Sequence, residues 1–164
     1  MKSRSGFEGL TAAQRDIVSY WQSTTRDGAL PARGDIDPGK LRAHLGSISL
    51  IEVDLSGEAR FRLVGTRLQP LLGGDARGQS LSSLSADVSS LWSRDLERTI
   101  NKQTVTGGVT ERADDRHAWL RLPLDPGTNG LGLILCHDVF LKQKTEHISP
   151  FSSLFPPIFP RLAA

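Results

Sequence analysis

The sequence lacks most of the features that mark specialised classes of protein. It has one cysteine, Cys136, among 164 residues, which excludes an internal disulfide framework. It has no apolar run of about 18 residues that could span a membrane. Its start, MKSRSGFEG, lacks the apolar segment of a signal peptide. From these absences we expect a cytoplasmic protein without a membrane span.

Neither sign of charge dominates. The 20 basic and 18 acidic residues leave a formal net charge of +2, whereas a nucleic-acid-binding protein needs a concentrated basic face. We therefore predict no nucleic-acid partner. The composition, 38% hydrophobic and 23% charged, is that of a globular protein, and the length favours one domain with its own core.

Familiar catalytic and metal-binding motifs are also missing. The four histidines show no i, i+4 pair and only one cysteine could join them, so we expect no metal site. Cys136 and His137 are residue types that can act as nucleophile and base. However, they are adjacent on a predicted strand, so their side chains should point to opposite faces. We interpret Cys136 as a small buried hydrophobic residue and predict no enzyme. A cryptic enzyme that uses the Cys136/His137 region is the alternative.

The first positive signal is an amphipathic helix over residues 12–26. Thr11 followed by Gln14 forms a capping box, and Gly28 is a plausible stop. We expect the helix to lie against the outer face of a sheet or against a second copy, which would give a homodimer. Its apolar stripe follows helical spacing: Ala13, Ile17, Trp21 and Thr24.

A short helix is predicted at 38–45, because Asp37 suits an N-cap and Pro38 suits the first helical position. Just before it lies Arg33-Gly34-Asp35, the tripeptide that integrins read on extracellular ligands. A tripeptide arises often by chance, and a cytoplasmic location argues against adhesion. We interpret this stretch as the start of the short helix.

Strand patterns follow at 47–55 and 59–68, joined by a hairpin at 56–58. In the second, Phe61 and Leu63 alternate with arginines, which predicts one buried face. Loops and short helical turns at 69–85 precede a long helix at 86–103. Its apolar stripe is Val88, Leu91, Trp92, Leu96 and Ile100.

Three further strands are expected in the last third of the domain. Gly107-Gly108 ends the long helix, and residues 114–116 are the predicted turn of a hairpin. The stretch LGLILCHDVFLK, residues 131–142, is apolar on both faces in its first half. This pattern predicts a central strand that is covered from both sides.

The order of two strands, a helical excursion and three strands resembles a PAS domain. The stretches LPARGDIDPGKL, FRLVGTRL and GGDARGQSL, within roughly residues 17–141, resemble in particular a single-domain bacterial PAS family once catalogued as a domain of unknown function. The residues that match its motifs are Pro31, Arg33, Asp35, Asp37, Pro38, Arg62, Gly65, Thr66, Asp75 and Gly78.

The resemblance implies an α+β PAS fold, in which a five-stranded antiparallel sheet carries helices on its concave face. We expect a tail at 1–10, the PAS domain with its N-terminal amphipathic helix at 11–142, and a Phe/Pro-rich tail at 143–164. The family implies a non-catalytic sensory or protein-interaction module in bacterial signalling, with a protein partner. A small apolar ligand in the core is left open.

Candidate site residues follow from the same resemblance. Trp92 and Leu96 are expected to face strand leucines around a pocket, although a plain core would show the same stripe. For the motif residues we expect structural roles: Asp37 as a cap, Gly65 for close packing, and Arg62 in a salt bridge with Asp35 or Asp75. The pocket candidates are Leu63, Trp92, Leu96, Leu120 and Leu122.

Two cofactors of PAS domains are not expected. Haem requires an axial histidine on the long helix, and residues 86–103 contain none. A covalent flavin requires a reactive cysteine in a helix-associated motif, whereas Cys136 lies on a predicted strand.

The C-terminal tail combines large apolar residues with prolines, which oppose a continuous helix. A solvated tail would be polar, so these residues are expected to dock, in an intramolecular groove or on a partner surface. A frayed terminus without a role is the alternative. The residues concerned are Phe151, Leu154, Phe155, Ile158 and Phe159.

Overall fold

The computed structural model of the protein describes residues 9–142, which form one five-stranded antiparallel sheet with helices. The strand order across the sheet is β2-β1-β5-β4-β3, so the last strand of the chain lies at the centre, as predicted. The strands are β1 (Ile48–Val53), β2 (Ala59–Val64), β3 (Thr106–Glu111), β4 (Asp115–Leu124) and β5 (Gly132–Lys142). The helices are α1 (Ala12–Thr24), α2 (Gln69–Leu72), α3 (Ala86–Ser93) and α4 (Leu96–Lys102).

Side chains of β5 enter two separate cores, because neighbouring residues of a strand point to opposite faces. We call the face that carries Ile134 and Cys136 the inner face, and the face that carries Leu135 the outer face. The inner core consists of Ile51, Phe61, Val64, Leu68, Ala76, Leu81, Leu91, Trp92, Leu96, Ile134 and Cys136. The outer core consists of Leu10, Ile17, Trp21, Leu41, Ile48, Leu50, Leu120, Leu122, Leu124 and Leu135.

Helix α1 packs on the outer face of its own sheet, which is the first of the two predicted placements. The predicted capping box is present, since Thr11 Oγ1 accepts from the Gln14 amide at 3.1 Å and Gln14 Oε1 accepts from the Thr11 amide at 3.2 Å. Trp21 is buried, and its indole N–H donates to the Pro123 carbonyl at 3.0 Å. The apolar stripe of α1 is therefore covered within the chain. None of the helices in residues 9–142 is long and apolar enough to cross a membrane.

The predicted helix at 38–45 is wrong, because that segment forms consecutive turns. The Asp37 carboxylate does accept the Gly39 amide at 2.8 Å, but the backbone bonds that follow join residues three apart, such as Lys40 N–H to Asp37 O at 3.1 Å. Glycine disfavours a helix, and Leu41 alone in this segment is fully buried. So short a segment lacks the packing that would sustain an α-helix.

The predicted helix at 86–103 is broken between α3 and α4, where Asp95 adopts a φ of 55°. A continued helix would use the Leu91 carbonyl for the Asp95 amide. That carbonyl instead accepts a hydrogen bond from Arg121 of β4 at 2.8 Å. A sheet residue thus occupies the acceptor that the next helical turn would need.

Gly107 and Gly108 lie inside β3 rather than at a helix end, so that prediction is also wrong. A β-carbon at Gly108 would lie 3.1 Å from the ring of Trp119, which packs across the strand at that point. The β3–β4 turn spans 112–114, and Asp115 already belongs to β4.

Candidate functional site

The structure does not bring the five predicted pocket residues together. Trp92 and Leu96 lie in the inner core, whereas Leu120 and Leu122 lie in the outer core beneath α1. The sheet separates the two pairs, so the expectation that they face each other is wrong. The remaining candidate, Leu63, is 39% exposed on the outer face.

A β-bulge explains the position of Leu63. Leu50 is paired with Leu63 and Ile51 with Phe61, so Arg62 is the extra residue on β2. An extra residue sends the side chains on either side of it to opposite faces. Phe61 therefore enters the inner core while Leu63 faces outward, and the predicted common face is wrong.

The inner face contains a buried network of polar and charged side chains. Arg121 donates to both carboxylate oxygens of Asp138, at 3.1 and 3.0 Å, and neither side chain reaches solvent. His117 Nε2 lies 2.7 Å from Asp138 Oδ1. In the sequence, His117 and Arg121 alternate with the apolar residues Ala118, Leu120 and Leu122, a pattern that equally fits a solvated strand face. The pattern alone therefore could not reveal this network.

Electrostatics keep the Arg121–Asp138 pair ionised. Burial works to raise the pKa of Asp138, but the charge of Arg121 and the hydrogen bond from His117 outweigh it, so the pKa lies below its ordinary value. Burial likewise works to lower the pKa of Arg121, and the charge of Asp138 outweighs it, so the pKa is raised. The inner face thus contains a fixed ion pair beneath the helices.

Trp92 also has a polar partner in the inner core. Its indole N–H donates to Ser49 Oγ at 3.2 Å, and its ring meets that of Phe61 edge to face, with centroids 5.6 Å apart. Leu96, by contrast, borders a cleft of about 680 Å³, which we call the inner cleft. Its lining includes Val53, Glu58, Ala59, Leu96, Glu97 and Ile100.

Cys136 and His137 lie on opposite faces of the sheet. Cys136 is fully buried on the inner face, where burial raises the pKa of its thiol to about 12. His137 lies on the outer face, where burial lowers its pKa to about 4. Its ring meets that of His44 edge to face, with centroids 6.1 Å apart. At neutral pH the cysteine is a thiol, and the sheet separates it from the imidazole.

Four of the predicted motif residues meet at a cleft of about 410 Å³ on the outer face, which we call the outer groove. It lies between the segment before β1 and the end of β2, and most of its lining is apolar. The sequence indicated these residues but not that they line a cleft. The lining includes Arg33, Pro38, Leu45, Leu63, Gly65 and Thr66.

Gly65 allows the two walls of the outer groove to touch, which is the close packing predicted for it. A β-carbon at Gly65 would overlap the carbonyl oxygens of Leu45 and Gly46. The Gly65 amide donates to the Ile48 carbonyl at 2.7 Å, and the Arg67 amide donates to the Gly46 carbonyl at 2.9 Å. Any larger residue at position 65 would push these walls apart.

The other motif residues form hydrogen bonds or ion pairs within the domain, some with their own local backbone and some with other parts of the chain. Asp35 accepts from the Ala32 amide at 2.9 Å, and the Pro31 carbonyl accepts from the Asp125 amide at 2.9 Å. Gly78 has a φ of 81°, which favours glycine. Further ion pairs are Arg77 with Asp75 at 2.7 Å and Arg62 with Glu52 at 3.3 Å. The predicted bridge from Arg62 to Asp35 or Asp75 is therefore wrong.

Comparison with known proteins agrees with this architecture. A family model described as PAS domain matches residues 10–124. The chain belongs to the PAS-domain family. Among solved structures it is similar to a domain of an HTR-like protein from Haloarcula marismortui ATCC 43049, with 13% identity and a TM-score of 0.45. That similarity covers 57% of this chain and 97% of the other. No curated protein matches the sequence.

Membership confirms the family that the motifs resembled and makes this chain a sensory or signalling module of the PAS class. The matched region runs from Leu10 to Leu124 and includes α1, so the N-terminal helix lies within the family's own domain. It also includes the motif residues that line the outer groove.

Proposed function

We propose that this PAS domain is a cytoplasmic, non-catalytic sensory and protein-interaction module in bacterial signalling, and that its protein partner binds in the outer groove. One observation supports the location most directly. Leu45 and Leu63 both line this groove, and they are 37% and 39% exposed. Large apolar residues that share an exposed cleft are typical of interaction sites.

The partner in this proposal presents an extended segment with large apolar side chains and a nearby acidic residue. The volume of the groove, about 410 Å³, is in the range of sites that enclose small ligands or side chains. Arg33 lines the groove and forms no ion pair within residues 9–142. Its charge would complement a carboxylate on the partner and would favour correct orientation of the segment.

Peptide display tests this proposal and does not require an identified partner. Peptides from a random library are selected on the full chain, and their binding to Leu63→Asp and Arg33→Gln variants is measured. We expect the selection to yield apolar peptides with an acidic residue. These peptides should bind Leu63→Asp about tenfold more weakly, or weaker still, because the variant places a carboxylate among apolar side chains. Leu71→Asp is the matched control, since Leu71 is 37% exposed and does not line the groove. Equal loss in both leucine variants would refute the location.

A small ligand in the inner cleft is the second candidate, and the position of Leu96 favours it. The inner cleft combines Leu96 and Ile100 with the carboxylates of Glu58 and Glu97. This lining fits a ligand with an apolar body and a cationic or hydrogen-bond-donating end. Native mass spectrometry of protein from its own host would show a bound mass. Binding through this cleft predicts that a Leu96→Arg variant loses that mass.

The enzymatic alternative at Cys136 has a direct test. Because burial raises the pKa of this thiol to about 12, we propose that it is chemically inert in the folded protein. A thiol-alkylating reagent should modify it slowly in buffer and quickly in denaturant. Rapid modification of the native protein near neutral pH would instead favour a cryptic enzyme.

A further inference from the structure

A third cleft, of about 420 Å³, lies beside the start of α1. We call it the histidine cleft. It shares no lining residue with the outer groove, although both clefts border the segment before β1 and the segment after β2. Its polar lining is brought together from four distant parts of the chain. The polar residues are Thr11, His44, Ser47, Arg67, His137 and Asp138, and Ala13 also lines the cleft.

His137 is the most informative residue of this lining. It is 2% exposed, and its Nδ1 has no hydrogen-bond partner among the described residues. Buried polar atoms in proteins nearly always have a partner, and a ligand that enters the cleft could supply one. His44 lies against the same ring, edge to face. Two imidazoles therefore border one small cavity.

The charge around the cleft is positive. Arg67 lines it and forms no ion pair within residues 9–142. The N-terminus of α1 adds the positive end of a helix dipole. The capping box satisfies the amides of Thr11 and Gln14 but not that of Ala13, which lines the cleft. The carboxylate of Asp138, the acidic residue of the lining, is bound by Arg121 and His117 on the inner face.

We propose that the histidine cleft binds a small oxyanion, namely a phosphate or carboxylate group of a ligand. Arg67 would supply the opposite charge, and His44 and His137 would donate hydrogen bonds from their rings. The start of α1 would add a backbone donor, as helix N-termini do for anions. This inference does not depend on the outer groove, because a different set of residues carries it.

Anion binding should be linked to protonation of His137. Burial lowers the pKa of His137 to about 4, and the positive charges of His44, Arg121 and Arg67 act in the same direction, while Asp138 opposes them. A bound anion would offset those charges and would stabilise the imidazolium. We therefore expect the pKa of His137 to rise when the cleft is occupied.

Nuclear magnetic resonance of the full chain tests the proposal, with inorganic phosphate and acetate as separate probes at constant ionic strength. Either anion should give a saturable shift of the His137 ring nitrogens and of the Ala13 amide, together with a higher pKa of His137. A response to phosphate alone would identify a phosphate group, and a response to acetate alone would identify a carboxylate group.

The exposed residue Arg67 provides a variant that should fold normally. Arg67→Gln is expected to weaken anion binding by about tenfold or more, because a charged hydrogen-bond donor is lost. Arg62→Gln removes the same charge outside the cleft, where Arg62 pairs with Glu52, and should leave the affinity unchanged. The proposal is overturned if neither anion gives a saturable shift, or if the two variants behave alike.

Discussion

Arg121 and Asp138 form two hydrogen bonds, of 3.1 and 3.0 Å, at a position where neither side chain reaches solvent. The same guanidinium donates to the Leu91 carbonyl at 2.8 Å. One ion pair therefore joins β4 to β5 and anchors the end of α3 on the inner face. Arg121 therefore links the break between α3 and α4 to the pairing of β4 with β5.

Removal of one partner of this pair should be costly. Asp138→Ala is expected to lower the free energy of unfolding by about 3–5 kcal/mol, because it leaves the Arg121 charge buried and unpaired. Urea denaturation measures the loss. The control is Asp75→Ala, which breaks an exposed pair with Arg77 and should cost less than about 1 kcal/mol. The double variant Arg121→Leu/Asp138→Leu should cost less than Asp138→Ala alone. Equal losses of unfolding free energy in Asp138→Ala and Asp75→Ala would contradict this role.

His137 should make the stability fall in mild acid. Its pKa is about 4 in the folded protein and 6.5 as the ordinary value, so between these pH values only the unfolded chain binds the proton. The free energy of unfolding therefore rises with pH across this window, and about 3 kcal/mol is lost from pH 6.5 down to pH 4. Asp138 acts at lower pH. Its pKa in the folded protein lies below the ordinary Asp value of 3.8, so its contribution to stability is lost only as the pH falls below 3.8.

Denaturation at a series of pH values, in a buffer without phosphate or carboxylate, measures this slope. His137→Asn removes the titrating group and should flatten the curve between pH 4 and 6.5. An unchanged slope in that variant would assign the effect to other groups.

Trp21 should anchor α1 to the sheet. Trp21→Ala is expected to cost about 3–5 kcal/mol, because the ring is buried in the outer core. Trp21→Phe keeps an aromatic ring but loses the hydrogen bond to the Pro123 carbonyl, so it should cost less. The thermal midpoint of each variant gives the comparison. A midpoint that Trp21→Ala leaves unchanged would be incompatible with this packing.

Long periodic patterns were sufficient to predict much of the fold. The capping box at Thr11 and the spacing of Ile17 and Trp21 are local features, and they correctly indicated α1. The unbroken apolar run of β5 likewise indicated the central strand. In both cases the pattern that predicts the element lies within one short stretch of sequence.

Several of the wrong predictions concern features that depend on contacts between distant residues. The end of α3 is fixed by Arg121, which lies 30 positions beyond Leu91. The outward direction of Leu63 follows from a bulge that exists only when β2 pairs with β1. The histidine cleft joins residues as far apart as Thr11 and His137. No local pattern reports such juxtapositions, so the candidate sites required the structure.

The Phe/Pro-rich tail, residues 143–164, lies outside the described residues, and its predicted docking stays a prediction. We expect that removal of residues 150–164 leaves the thermal midpoint of the PAS domain unchanged, since residues 9–142 contain two hydrophobic cores. We also expect it to change self-association or partner capture, because a segment rich in large apolar side chains favours contact with another apolar surface. Sedimentation velocity and pull-down compare the full and shortened chains.

A triple variant of the full-length chain separates the effect of the apolar side chains from the effect of chain length. Phe151→Ser/Phe155→Ser/Phe159→Ser should reproduce the effect of the truncation. Identical behaviour of all three proteins would mean that the tail is a terminus without an interaction role.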